Sequence, residues 1–299
     1  MSTAGAEARI AQYYDWLARF QQLVQRLGHR GGFDSLTVHR LLVSDREGVT
    51  AADVVHERLL SAVGDLRAPR VVDAGCGVGG TILHLHARLG GEYDGLTLSP
   101  VQHARASAEA ARRGLSAACR FHLRSYDLPL DAIVPDGANL IVAIESLAHS
   151  SDPVQTIANL AAGLLPGGRL AIVDDVPVDT VADDDPDLTA FRTGWVCHNI
   201  ANSQTLAAAL DRAGLSIERD EDLTPLVKKR EPAELAPMIR TNRRWRLLLG
   251  PTAAGALVDS LHGGLMLERL YRRGLVCYRF IVARRDGTRS AGKVRSPEL

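Results

Sequence analysis

Apolar positions near the start of the chain recur at intervals of three and four. Ile10, Tyr13, Tyr14, Leu17, Phe20, Leu23, Val24 and Leu27 fall on one face, which predicts an amphipathic helix. Gly28 and the Gly31-Gly32 pair are expected to end it. A second helix is expected from Thr50, whose hydroxyl stands as an N-cap before AADVVHERLLSAV. From Arg70 the pattern changes: short apolar runs near 71–74, 93–98, 120–124, 140–144 and 170–173 alternate with helical windows at 79–89, 101–113 and 153–164. Such alternation is the sequence form of a mostly parallel sheet covered on both faces. LLPGGRL reads as a helix end and a glycine turn feeding the fifth strand.

The period lapses after Asp174 in VPVDTVADDDPDL, where acidic residues and proline predict an exposed loop. Helical pattern returns at 187–199 and 203–213, followed by a strand at 215–220. Two further helical windows, 232–249 and 252–271, precede a last strand at 275–282, the seventh. These helices are too long for connectors and are expected to form a lid. The chain therefore reads as an N-terminal helical segment over residues 1–65, an α/β domain over 66–284 with lid insertions at about 187–199 and 232–271, and a disordered tail over 285–299.

The chain has 299 residues, 46% of them hydrophobic, enough for a sizeable core. Thirty-five Lys and Arg balance 35 Asp and Glu, so no global field draws in nucleic acid or an anionic membrane, and neither is expected as a partner. MSTAGAEARIAQYY lacks a basic region followed by an apolar stretch, and no run approaches the roughly 20 apolar residues of a bilayer span. A soluble cytoplasmic protein is the expectation. Cys76, Cys119, Cys197 and Cys277 are scattered singly, which predicts buried thiols and neither a zinc site nor a disulfide framework. His84 and His86 lie two apart on a helix, hence on different faces, and cannot jointly chelate; no metal site is expected. Asp183, Asp184 and Asp185 form either a solvated acidic loop or a grip for Mg²⁺.

VVDAGCGVGG runs from a strand ending at Asp73 through Gly75, Gly77, Gly79 and Gly80 into a helix. Several glycines let the backbone approach a ligand at the carboxyl end of the first strand, where open α/β sheets bind nucleotides; a packing turn alone would need only one. The spacing is GxGxG. It matches neither the GxGxxG dinucleotide fingerprint nor a GxxxxGK[ST] phosphate loop. The fourth apolar run, ANLIVAIESLAHS, ends in Glu145, Ser146 and His149, delivering a carboxylate and an imidazole to the sheet edge.

With these motifs in order over about 70–173, the sequence resembles the class I S-adenosylmethionine-dependent methyltransferases, Rossmann-like α/β enzymes with a seven-stranded, mostly parallel sheet. The likeness implies that Gly75, Gly77 and Gly79 pack on the methionine part of S-adenosyl-L-methionine, with Asp73 holding the loop or, through water, the cofactor amino group. Many members close the second strand with an acid that holds the ribose; here GLTLSPVQ puts Thr97 and Leu98 there and Gln102 a turn later, while Asp94 is out of register. GLTLSxxQ is similar to the subgroup of cyclopropane synthases and of sterol, tocopherol and terpenoid C-methyltransferases, in which Thr and Gln bond the ribose. The same resemblance assigns Ser125 and Tyr126 of RSYDLP to adenine, with Asp127 either their alternative or an N-cap.

IESLAH resembles the IE(A/S)xxH and MESxxH elements of sterol and tocopherol methyltransferases, which implies that Glu145 faces the substrate; the bland alternative is a carboxylate satisfying loop amides. His149 either takes part in catalysis or caps the helix starting near Asp152. YYDWLARF is similar to the segment that closes over the cofactor, which offers Tyr14 to the cofactor carboxylate. Trp195 in RTGWVCHN is either a substrate wall or core filler. Lys228, Lys229, Arg230, Arg240, Arg243, Arg244 and Arg246 make a solvated face or a phosphate-pairing lid. The expected activity is methylation of a small, largely apolar molecule, favoured at carbon of an isoprenoid alkene or prenyl diphosphate. N- or O-methylation and a non-catalytic cofactor-binding protein are the alternatives.

Overall fold

The computed structural model describes residues 3–26, 36, 39–44, 46–64, 66–250 and 252–287. Gly28, Gly31, Gly32 and the tail from 288 onward, on which expectations were placed, lie outside the described residues.

One seven-stranded sheet runs in the order β3-β2-β1-β4-β5-β7-β6. Its strands are β1 (Arg70–Ala74), β2 (Glu92–Thr97), β3 (Cys119–Leu123), β4 (Ala138–Ile144), β5 (Leu164–Pro177), β6 (Leu215–Asp222) and β7 (Val276–Arg285). Strands β1 to β5 are parallel, and β7 runs antiparallel between β5 and β6. Val71, Val72, Leu140, Ile141 and Val142 are all buried because helices cover both faces, which explains the unbroken apolar runs. Chain order reverses between β1 and β4, and the crevice beyond their carboxyl ends is the natural ligand site.

The helices of the α/β core are α2 (Val54–Val63), α3 (Gly80–Leu89), α4 (Pro100–Arg112), α5 (Pro153–Ala162) and α7 (Ser203–Arg212). Helices α4 and α5 begin with proline after Ser99 and Asp152, whose side chains accept from the free amides of the first turn. The start of α2 differs from expectation. Residues 51–53 form a turn, Thr50 donates its hydroxyl to Asp53 Oδ2 at 2.6 Å, and Asp53 occupies the N-cap position.

A second group of helices stands at the carboxyl edge: α1 (Thr3–Arg26), α6 (Pro186–Trp195), α8 (Pro232–Leu249) and α9 (Ala253–Arg272). Tyr13 on α1 bonds Ser260 on α9 at 2.9 Å, and Asp15 accepts from Val101 N (3.2 Å) and Ser99 Oγ at the start of α4. A carboxylate there meets free amides and the positive end of a helix dipole.

The sequence misplaced β5. It begins at Leu164, within the LLPGG stretch read as a helix end, and it continues to Pro177 against β7 instead of stopping before Asp174. Asp174 and Asp175 are consequently buried strand residues. Among the described residues all four cysteines are free thiols, three of them buried. No described helix is long and apolar enough to cross a membrane.

Candidate active site

A cavity of about 840 Å³ opens at the carboxyl ends of β1, β2 and β4. That size is at the upper end for small-molecule sites and leaves room for a nucleoside and a second ligand together. Gly75, Gly77, Thr97, Leu98, Gln102, Ser125 and Tyr126 line one part of it; Tyr14, Glu145, His149 and Trp195 line the rest with residues of α8 and α9. Eleven of the thirteen residues singled out from the sequence thus meet in one space, and Asp73 and Gly79 do not line it.

The β1–α3 loop turns at Gly75, Gly77 and Gly79, all at positive φ, and a Cβ on Gly75 would meet Ser146 Cβ at 2.4 Å. Gly79 has a packing role instead of a ligand-facing one. It is the left-handed N-cap of α3, and a Cβ there would stand 2.8 Å from the Phe121 ring. Asp73 is 2% exposed, and burial pushes its carboxyl up to about 7.

The sign of that shift yields a stability prediction. A carboxyl raised in the fold costs nothing below its ordinary value of 3.8, costs progressively more between there and about 7, and costs the full amount above. Asp73→Asn removes this cost, so the ligand-free variant should gain thermal stability over the parent at pH 8 and gain much less at pH 4.5. Melting curves at the two pH values check it; equal differences would overturn the assignment.

Thr97 donates its hydroxyl to Gln102 Oε1 at 2.9 Å and accepts from Ser99 N at 3.2 Å, so each side chain fixes the other at the cavity wall. Tyr126 donates its hydroxyl to the Ser146 carbonyl, leaving its ring to the cavity. Asp127 also lines the cavity, with its carboxylate accepting from Ser151 N at 2.9 Å and from the hydroxyls of Ser151 and Thr156, both at 2.6 Å. Asp94 is paired with Arg120 and His122.

Glu145 follows the last residue of β4 at φ 49, a left-handed conformation uncommon for a side-chain-bearing residue. Its Oε1 accepts from Arg40 N and from Tyr278 OH, both at 2.8 Å. Oε2 has no hydrogen-bond partner among the described residues. The Arg40 guanidinium grips Asp175 through two bonds of 2.9 and 3.1 Å and lies over the rings of Tyr271 and Tyr278. Burial, reinforced by the neighbouring Asp175, pushes Asp174 up to about 8.

His149 does not cap α5, a role taken by Asp152. Its Nδ1 faces the Val196 carbonyl at 3.3 Å, which can only accept, so Nδ1 carries the proton and Nε2 accepts from Tyr14 OH at 2.6 Å. Burial lowers His149 to about 4 and keeps it neutral. With both nitrogens engaged, it holds Tyr14 in the cavity wall. Trp195 lines the cavity and donates Nε1–H to Ser260 O at 3.1 Å, which makes it a wall with a fixed ring.

For the basic stretch the structure favours the solvated face over the phosphate-pairing lid. Of its seven residues only Arg230 lines the cavity, and it is paired with Glu268 at 2.7 Å. Arg240, Arg243 and Arg244 are exposed, and Arg246 pairs with Asp259. Helix periodicity puts Met238, Thr241, Asn242 and Trp245 on the cavity side, so the arginines face out. Asp185 caps α6 and pairs with Arg273 at 2.7 Å. The residues that hold Glu145, namely Arg40 and Tyr278, escaped the sequence reading. Tyr278 sits in an ordinary alternating strand and Arg40 in no motif.

Residues 72–170 match the family described as methyltransferase domain. That stretch, a third of the chain, carries the methyltransferase domain. The chain is 40% identical over 104 residues to a probable chloroplastic tocopherol O-methyltransferase of Oryza sativa subsp. japonica, covering 34% of this chain and 28% of that one. It is 26% identical over 226 residues to a sterol 24-C-methyltransferase of Neurospora crassa, covering 74% and 58%. The chain spans less than a third of the tocopherol methyltransferases it matches. It shares its fold, at 18% identity, with a geranyl diphosphate C-methyltransferase of Streptomyces coelicolor solved with Mg²⁺, geranyl diphosphate and S-adenosyl-L-homocysteine; the TM-score is 0.63 over 95% of this chain and all of that one.

Proposed function

We propose that the protein uses S-adenosyl-L-methionine to methylate a small, largely apolar molecule, and that the methyl goes to an alkene carbon of an isoprenoid-like acceptor. The observation that carries this reading is Glu145, a carboxylate anchored at one oxygen inside a cavity whose other walls include Ile10, Leu17, Ile144, Trp195 and Leu265. Met238, Trp245 and Leu261 are at once cavity-lining and 43%, 51% and 55% exposed, an apolar mouth suited to such an acceptor.

The residues at the strand ends fit the cofactor. Gly75 and Gly77 give the methionine portion backbone approach, the Thr97–Gln102 pair suits the ribose hydroxyls, and Tyr126 with Ser125 flanks the adenine. When bound, the cofactor supplies an electrophilic methyl on a sulfonium whose thioether leaves neutral. The protein's task is alignment and charge control. Attack by an alkene carbon leaves a cation on the acceptor; Glu145 stabilises that cation and takes the proton whose loss restores the double bond. Trp195 adds the attraction of an aromatic face. Helix α1, through Tyr14 and Asp15, acts as the cover of the N-terminal segment, and α6, α8 and α9 act as the lid of the domain that spans 66–284.

O-methylation is the second reading, favoured by the 40% identity to the tocopherol O-methyltransferase. Incubation with methyl-labelled cofactor and pools of terpenoid, phenolic and prenyl diphosphate acceptors separates the two. The expected product carries a new C–CH₃ group by NMR; a methyl on oxygen or nitrogen would overturn the carbon mechanism. Arg9 of α1 and Arg230, the latter paired with Glu268, are the arginines that line the cavity, so the prenyl diphosphate pool is compared directly with the uncharged isoprenoid pool.

A further inference from the structure

Asp53, His56 and His84 converge where α2 packs on α3, outside the cavity described above. One ligating atom from each, a carboxylate oxygen and two ring nitrogens, lies within 4.8 Å of the others. Asp53 Oδ1 stands 3.4 Å from His84 Nδ1 and 3.7 Å from His56 Nδ1. The sequence reading dismissed a metal site by testing His84 against His86, its neighbour on one helix. The partner of His84 is on another helix.

Proton placement in this cluster follows from its hydrogen bonds. His39 Nδ1 faces the Arg40 carbonyl at 3.2 Å, which only accepts, so the proton of His39 is on Nδ1 and its Nε2 carries the lone pair. That Nε2 faces His56 Nε2 at 3.3 Å, and Thr81 Oγ1 is 3.2 Å from the same His56 atom. His56 therefore donates from Nε2, and its Nδ1 carries a lone pair. This Nδ1 has no hydrogen-bond partner, although the side chain is completely buried. It points its lone pair at a carboxylate, an arrangement of two acceptors that costs free energy unless a cation lies between them.

Asp53 supplies a second sign. It stands at the N-cap of α2, yet its side chain caps no amide. Thr50 orients the carboxylate from one side by donating to Oδ2, leaving Oδ1 toward the histidines. His84 in turn faces Glu57 with Nε2 at 3.9 Å, and Arg88 pairs with that carboxylate at 3.2 Å. His84 Nε2 makes no hydrogen bond at that distance, whereas Asp53 and His56 are backed by a hydroxyl and an imidazole, the outer-shell pattern of metal sites.

We infer that Asp53 Oδ1, His56 Nδ1 and His84 Nδ1 bind a first-row divalent cation, zinc by preference, as a structural site that joins α2 to α3. Two nitrogens and one oxygen suit zinc better than magnesium, which takes oxygen ligands and keeps its waters. Atoms bound tetrahedrally at roughly 2.0–2.1 Å from zinc lie about 3.3 Å apart, so the site must contract by up to about 1.5 Å. The His56 and His84 rings are stacked at 4.4 Å with 28° between their planes, so the partly exposed His84 must also turn for both lone pairs to reach one ion. The consequence reaches the active site by a short chain. Metal binding at His56 Nδ1 locks the His56–His39 bond, and His39 precedes Arg40, whose amide holds Glu145.

The test does not depend on any methyl acceptor. Untagged protein, stripped with chelator and dialysed, is titrated with Zn²⁺ and Co²⁺ and followed by calorimetry, metal analysis, cobalt absorption in the visible and melting temperature. We expect one equivalent of zinc, a raised melting temperature, no such rise with Mg²⁺, and a cobalt spectrum of low coordination number. His84→Gln and Asp53→Asn should remain folded by far-UV circular dichroism and weaken zinc by more than roughly a hundredfold, beyond the loss typical of outer-shell partners. Less than half an equivalent of zinc on the parent, or parent-like zinc affinity in both variants, would overturn the site. If both variants unfold, His56→Asn and the parent's cobalt spectrum decide: absence of the visible bands rejects the proposal.

Discussion

Glu145→Gln is expected to lose roughly two to four orders of magnitude in turnover, the range for removing a positioned acid or base. The amide keeps the volume, and its oxygen can still accept from Arg40 N and Tyr278 OH, so the fold and the cofactor site should be intact. What disappears is the negative charge beside the developing cation and the acceptor for its proton. Affinity for S-adenosyl-L-homocysteine by calorimetry should change little while single-turnover methyl transfer collapses. Tyr278→Phe offers a graded companion. It removes one of two donors to Oε1 without touching the charge, and hydrogen bonds to charged groups contribute about 1.5–3 kcal/mol, so a loss of roughly ten- to a hundredfold in kcat with KM nearly unchanged is expected. Tyr278 is a positioning residue in this scheme. Full activity in Glu145→Gln would remove the carboxylate from the mechanism and leave the cofactor site standing.

Gly77→Val should abolish measurable binding of S-adenosyl-L-homocysteine. Gly77 lines the cavity at φ 53, where a β-branched residue is strained, and its missing side chain is the space through which a ligand reaches the backbone. Calorimetry on the variant, with circular dichroism to show that the sheet survives, reads the outcome directly. Gly79→Ala is the informative contrast. Its Cβ would strike Phe121 rather than the cavity, so it should lower the melting temperature, with any loss of affinity following from instability. Retained binding in a folded Gly77→Val protein would move the cofactor site elsewhere.

Sequence and structure agree on different things for identifiable reasons. Local rules located α3, α4, α5, α7, α8 and α9 to within a few residues, because proline, capping side chains and amphipathic periodicity act over one or two turns. The glycine loop, Thr97, Gln102 and Glu145 were legible because strand ends followed by short motifs act through their own backbone. β5 was not. Its extension to Pro177 depends on antiparallel pairing with β7, about a hundred residues away, and Asp174 and Asp175 look like loop residues until that partner strand buries them.

The same division separates the site's identity from its wiring. The chain by itself determined the fold class, the place of the crevice at the strand ends and the carboxylate at the end of β4, since each is written in contiguous residues. Tertiary structure alone decided which way the arginines of α8 face, that His149 serves Tyr14 and not a helix end, that Arg40 and Tyr278 anchor Glu145 across 105 and 133 residues, and that His84 meets His56 and Asp53. Those relations join segments distant in sequence, and no local propensity or spacing encodes a contact whose partner is chosen by the packing of the whole domain.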